Sequence, residues 1–439
     1  MKRFLIDCVS ATAFVFGVLW GIKEISSLNL FNAFDPLGQA LGDMEFSDIA
    51  FSTIREDPPI DTNIVIVNIG ELSRSDVARQ IRAIASCKPK VIGIDSFFNC
   101  PGGLTDSLSC PELYDTLAYK AFGDAIEQAG NVVLVTKLLQ TDSLVALHGD
   151  IDIYDSLETT DPALRRNAIE GYASLETDAA DQEDLKSCRR FNPKMEVNGE
   201  TLYAFSVQMA MKYDSVKTKK FLARGKKSEI INYRGNIVDW HGASNFASRY
   251  MVLDVEQALD TSMFVPSMLK DKIVIMGFLG KDLRDTSWDD KFFTPLNKIY
   301  AGKARPDMYG VVVHANIVSM ILNEDYIDEL QEWQQYAIAI LVVMLNVALF
   351  LKITKRIPIW FDLISLTVQI IQVLLFSFLM IEFLDWFDFK LDITITLAAV
   401  ALVGTCFELY STFLKAFVAF FAELGFAKIP PLTKEKEEV

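Results

Sequence analysis

The sequence predicts an α/β domain with a mostly parallel sheet, held outside the cytoplasm by four transmembrane helices, one before it and three after. Three observations carry that expectation: long apolar stretches, a charge imbalance confined between them, and compact β-branched runs alternating with helical patterns. The chain has 439 residues, 51% hydrophobic and 23% charged, with a net charge of −16. Residues 1–22 carry +1 and residues 335–439 carry −2, which leaves −15 in the central block 23–334. So acidic a block repels phosphates and excludes a nucleic acid as partner.

The apolar stretches run Phe4–Ile22, Gln335–Leu351, Pro358–Ile381 and Leu391–Tyr410. Each comes close to the length of about 20 residues that a helix needs to cross a bilayer. Lys2 and Arg3 precede the first; Lys352, Lys355 and Arg356 fill the turn between the second and third. Basic clusters stay cytoplasmic, whereas the acidic turn Glu382–Lys390 suits the outer side. The topology then brings the C-terminal lysines back inside and leaves about 23–334 extracytoplasmic. Trp20, Trp333, Trp360 and Trp386 fall at span ends, as an interfacial belt requires. Ala11 and Ala13 come too early for a cleavage site, so the first span reads as an uncleaved signal anchor.

Ala13, Gly17 and Gly21 form small-xxx-small steps, which let another helix approach closely. Gln369 and Gln372 share a helix face and read as interhelical hydrogen-bonding groups. With Asn346, Asp362 and Glu408 they would also suit a transport pathway, but four spans without a repeat make a poor carrier.

In the outer block, Ile64–Val67 reads as a strand, Ser73–Ala85 as a helix capped by Ser73, and Lys90–Asp95 as a second strand. Leu113–Ala129 reads as helix and Asn131–Val135 as strand. Glu229–Tyr233 and Lys272–Gly277 follow as strands, then Tyr309–Leu322 as helix. Residues 150–187 read as loops and short elements. Continuous apolar strands separated by helices imply a parallel sheet covered on both faces. Binding groups of such sheets gather at strand carboxyl ends. Here those ends supply Asn68, Asp95, Asn232 with Arg234, and Arg284 with Asp285 after Gly277.

Cys87, Cys100, Cys110 and Cys188 lie where disulfides are permitted, and four cysteines allow three pairings. The Pro-Gly-Gly loop between Cys100 and Cys110 favours that local bridge, leaving Cys87–Cys188 as the second. Without CxxC spacing or a DxDxDG loop, neither zinc nor calcium is expected, and no cofactor is implied. The three histidines, His148, His241 and His314, accompany neither a GxSxG elbow nor an HExxH pair. No enzyme is expected, and His314, in an apolar helix, reads as structural.

Four motifs in order give the chain a resemblance to a known family. They are Asp48-Ile49-Ala50-Phe51 with Asp57-Pro58-Pro59, then Pro89 to Phe97, then Asp271 to Gly277 with Asp285 and Thr294-Pro295, and last Tyr309 to Asn316. Over residues 30–330 this series resembles the CHASE2 extracytoplasmic sensory domain of bacterial membrane receptors. The resemblance implies the inner (plasma) membrane, a ligand-binding domain over 30–330, a signal anchor and linker over 1–29, and three spans over 331–411. It brings Thr294 into the set of candidate ligand-binding residues.

Family members usually carry a cytoplasmic kinase, cyclase or similar output domain. On the topology above, about 37 residues here are cytoplasmic, too few for a domain. Residues 412–439 read as a short amphipathic tail lying on the membrane or on a partner. Two functions follow as expectations. One is a sensor subunit that detects an extracytoplasmic ligand or envelope partner and acts through a separate membrane or cytoplasmic protein. The other is a non-catalytic structural subunit of a larger envelope complex. Either is compatible with a homodimer, and both take the lipid bilayer as a partner.

Overall fold

The computed structural model describes residues 2–26, 45–56, 58–98, 115–141, 154–175, 187–237, 249–285, 287–298 and 305–423. The chain divides into two compact units, Asp43–Asp328 and the combined flanks Met1–Gly42 with Glu329–Val439.

The first unit is built on a seven-stranded sheet. Its strands are β1 (Ile64–Asn68), β2 (Val91–Asp95), β3 (Val132–Leu139), β4 (Ser156–Glu158), β5 (Ile169–Tyr172), β6 (Met251–Leu253) and β7 (Ile273–Gly277). The order is β6-β1-β7-β2-β3, with β5 and β4 both pairing β3. Every pairing is parallel except that of β4 with β3. All five residues of β1 and of β7 are buried, as expected of strands covered on both faces.

Alternation along the strands sends two sets of side chains to two cores. Val65, Val67, Ile92, Ile94, Val274 and Met276 pack with Ile81, Ile84, Phe122 and Ile126 from helices Arg74–Ser86 and Thr116–Ala129. Ser73 caps the first of these, its hydroxyl accepting from the Asp76 N–H at 3.3 Å. The opposite face is covered by helices Phe205–Tyr213 and Gly310–Asn323. Two glycines allow that approach. A Cβ on Gly171 would lie 2.8 Å from the Phe205 Cα, and one on Gly93 would strike Met209 and Phe205.

The expected strands around residues 64, 91 and 273 and the helix at 310 form as predicted to within a residue or two. The expected strand Glu229–Tyr233 does not join the sheet. Only Glu229 and Ile230 are extended, paired antiparallel with Arg190–Phe191. The apolar run there reflects burial of Ile231 and Tyr233, not sheet membership. Strands β4 and β5 are among the short elements expected over residues 150–187, though their place in the sheet was not read, and β6 and helix Phe205–Tyr213 were not foreseen. Three or four residues are too few for a period-2 pattern, and the sheet itself supplies the pairing partners.

In the second unit, four helices are long and apolar enough to cross a membrane, at Phe4–Glu24, Glu332–Arg356, Pro358–Phe387 and Thr394–Phe413. Helix Thr394–Glu423 is central and packs against the other three. Ala11, Val15, Val343, Val347, Ala399 and Val403 lie in their shared core. The small-residue face does not serve this packing: Ala13 is exposed, and a Cβ on Gly17 or Gly21 would meet nothing within 4 Å. The first helix turns Cys8, Ala11 and Val15 inward because β-branched and small apolar side chains there fill the bundle.

The buried amides do join helices. Asn346 Nδ2 donates to Gln372 Oε1 at 2.9 Å, and the Gly404 N–H donates to Gln369 Oε1 at 3.2 Å. Replacing Gln369 with Leu is expected to cost the bundle about 0.6 kcal/mol, the size of one such bond in a membrane. Steric-trapping or denaturant titration of the full chain in bicelles measures it; a loss well above about 2 kcal/mol would contradict a simple packing role.

Candidate functional site

The carboxyl ends of the parallel strands hold two groups of polar side chains. The first is closed on itself. Asn68, fully buried at the end of β1, donates from Nδ2 to Asp254 Oδ1 at 2.9 Å and to the Gly280 carbonyl at 3.1 Å. Its Oδ1 accepts from the N–H groups of Gly70 and Leu279. One side chain thereby ties together the loops that leave β1, β6 and β7. All four hydrogen-bonding positions of this amide are used, so Asn68 is a positioning residue with nothing left for a ligand.

The second group is open. Asp95, at the end of β2, has a side chain 13% exposed and lies beside Gly277, its register partner on β7. His314 Nε2 stands 4.0 Å from Asp95 Oδ2, and His314 Nδ1 is 2.7 Å from Ser206 Oγ. The edge of the Phe205 ring meets the imidazole at 5.2 Å between centroids. Helix Gly310–Asn323 begins here without a side-chain cap, its Gly310 N–H donating to the Asp290 carbonyl at 3.0 Å. Asp290 is exposed, has φ +57°, and would place its carboxylate 3.3 Å from a Cβ on Gly310.

Burial pushes the Asp95 carboxyl up to about 7. Asp290 is pushed up to about 7 as well, first by partial burial and second by the Asp95 charge. Burial pulls His314 down to about 4 against the opposing effect of a hydrogen bond to the Ala173 backbone. The Asp95–His314 contact is therefore no ion pair. Burial thus favours the neutral form of both groups. Ser206, His314 and Asp95 stand in the chemical order of a hydrolase triad, but Ser206 is fully buried and His314 nearly so.

The other predicted residues lie elsewhere. Asn232 accepts from Arg55 Nη1 at 2.8 Å and donates to the Asp325 carbonyl, while Arg234 pairs with the Asp325 carboxylate at 3.0 Å. Because their segment is not in the sheet, this pair is not at a strand carboxyl end. It braces the chain beyond helix Gly310–Asn323. Thr294 donates from Oγ1 to Asp307 Oδ2 at 2.6 Å and its N–H to Oδ1, a buried staple rather than a ligand contact. Burial raises Asp307 to about 7, against those hydrogen bonds. Arg284 and Asp285 shape the exposed loop after β7, where Asp285 accepts from the N–H groups of Lys281 and Ser287.

Cys87 and Cys188 are both buried, at separate places, and neither is in a disulfide. Cys87 closes helix Arg74–Ser86 within the core on one face, whereas the Cys188 N–H donates to the Phe293 carbonyl. Pairing them would require moving packed backbone, so the bridge expected from cysteine counting is not formed. Cys100 and Cys110 lie outside the described residues.

Of the predicted set, only Asp95 is in the open group. Asp290 and Ser206 were missed because contacts across roughly a hundred residues assemble it. His314 carried a signal, as the one ionisable residue among Val311–Leu322. The chain matches the CHASE2 domain over residues 18–349. No curated protein and no solved structure matches it.

Proposed function

The chain belongs to the CHASE2 family of sensory domains, and from that premise we propose that it is a sensor subunit of a bacterial membrane receptor. The sheet domain faces the extracytoplasmic side, the four apolar helices anchor it in the inner membrane with both termini cytoplasmic, and a separate protein supplies the output. The observation that carries this reading is the family match itself, which takes in the sheet domain. The buried position of Ser206 supports a non-catalytic role.

Two measurements test the proposal. Cysteine accessibility in intact cells is expected to label positions in the sheet domain from outside and a probe at Lys355 only after permeabilisation; the reverse pattern refutes the topology. A metabolite that binds the native state at a hundred times its dissociation constant would stabilise the full chain in nanodiscs by about 2.7 kcal/mol. If no metabolite shifts the unfolding of the sheet domain and the protein always co-purifies in fixed stoichiometry with a large assembly, the structural-subunit reading replaces the sensor.

A further inference from the structure

Residues 212–227 carry seven basic side chains and one acidic, Asp214, inside the otherwise strongly acidic central block. Helix Ser215–Leu222 organises them. Asp214 caps it, accepting from the N–H groups of Val216 and Lys217 at 3.1 Å. The inner face buries Thr218 and Phe221, and the Phe221 ring packs against Phe191 and Tyr326 at 6.2 and 5.5 Å between centroids. That anchorage turns Val216, Lys219, Lys220 and Ala223 to solvent, at the i, i+3, i+4, i+7 spacing of one helix face. Lys227 is exposed just beyond the helix. Val216, an apolar side chain among lysines, is 77% exposed.

Neighbouring carboxylates neutralise only part of this charge. Lys220 pairs with Glu324, Arg224 with Glu229 and Asp328, and Lys226 with Asp328 at 2.9 Å. Together with Asp214, those three acids make four carboxylates against seven cations, so a net +3 remains. Lys217 Nζ donates to the Leu322 carbonyl at 2.6 Å, near the end of helix Gly310–Asn323. Lys219 and Lys227 form no ion pair among the described residues.

Covalent geometry limits how far this patch can stand from lipid. Asp328, which Arg224 and Lys226 hold, is separated by three residues from Glu332, where a helix long and apolar enough to cross a membrane begins. Four Cα steps span at most about 14 Å. The headgroup layer is itself about 5–7 Å deep, and an anionic surface attracts cations over a Debye length of about 8 Å.

We infer that the outward face of helix Ser215–Leu222, with Lys227, docks on the membrane surface. Its lysines contact the phosphate groups of anionic phospholipid, and Val216 enters the interfacial layer. An acidic protein would satisfy the lysines as well. It would explain neither the short link to the span nor an apolar side chain set in a cationic face, which is the composition of surfaces that lie among headgroups. The inference goes beyond the sensor reading and holds whichever side of the membrane the sheet domain faces. Because the same helix and its following turn hold Leu322, Glu324 and Asp328, docking couples the segment that leads into the span to the charge of the surrounding lipid.

The full chain in nanodiscs tests this, with Val216 replaced by the photo-crosslinking residue benzoylphenylalanine and adducts identified by mass spectrometry. In discs of phosphatidylcholine with phosphatidylglycerol, a phospholipid adduct at position 216 is expected. In pure phosphatidylcholine its yield is expected to fall. At a salt concentration that halves the yield in anionic discs, Lys219→Gln and Lys227→Gln are each expected to lower the ratio of docked to released protein about fivefold, the worth of one lysine at an anionic surface. Hydrogen exchange of segment 215–227 in the unsubstituted protein gives a second reading, expected to be slower in anionic than in neutral discs. Equal adduct yields and equal exchange in the two lipids overturn the inference, as do yields that neither lysine change moves. An adduct to a polypeptide instead of lipid in native membranes also overturns it, and would make this face a docking surface for an acidic protein.

Discussion

Gly171→Ala is expected to destabilise the sheet domain by about 2–3 kcal/mol, the range for forcing extra volume into a packed core. The added methyl would stand 2.8 Å from the Phe205 Cα and 2.9 Å from its amide nitrogen. Those are backbone atoms at the start of helix Phe205–Tyr213, so no rotamer change relieves the overlap; the helix must move off the sheet. Gly93→Ala on the same face is expected to cost less, because it meets side-chain atoms of Met209 and Phe205 that can rearrange. The movement has a functional consequence. Phe205 packs edge-on against His314 and Ser206 hydrogen-bonds it, so shifting this helix start disturbs the imidazole beside Asp95. Thermal melting of the full chain measures the first effect, at about 2–4 °C per kcal/mol for a domain of this size. A melting temperature unchanged by Gly171→Ala would show that the helix does not approach the strand as closely as described.

Arg189→Met is expected to cost about 3–5 kcal/mol, the penalty for leaving a buried charge without its partner. Asp48 has a side chain 4% exposed and accepts from Arg189 Nη2 at 2.7 Å and from Nε at 3.1 Å, a two-pronged pair. Burial raises the Asp48 carboxyl above its usual value, and Arg189 acts to lower it. Removing Arg189 lifts it further. An acid with a raised folded-state value stabilises the fold at low pH and loses that contribution as pH rises. The deficit of Arg189→Met is therefore expected to shrink on acidification. The double change Asp48→Leu with Arg189→Met, which removes both charges, is expected to be more stable than Arg189→Met alone. Denaturant unfolding of the three variants at two pH values decides it; a double variant no better than the single would show that the pair contributes packing instead of charge compensation.

These expectations depend on structure that the sequence reveals unevenly. The long, uniform signals were legible. Four apolar stretches became four helices long and apolar enough to cross a membrane, and the runs at 64–68, 91–95 and 273–277 became adjacent parallel strands. Ser73 capped its helix as read. Such features arise from local periodicity and from the need to remove many apolar side chains from water, and both are written in consecutive residues.

Of the candidate ligand-binding residues, only Asp95 lies in the open group at the strand ends. Asn68 also lies at a strand end, as expected, but its neighbours Asp254, Gly280 and Leu279 use every valence of its amide. Asn232 and Arg234 were assigned to a strand end by an apolar run that is buried for a different reason. Composition and spacing by themselves determined that this chain pairs an acidic α/β domain with apolar helices. Only the tertiary structure decided which polar groups spend their hydrogen bonds on holding loops and which meet across the sheet, because that outcome depends on contacts between residues as far apart as Asp95 and His314, and on the low dielectric that folding creates around them.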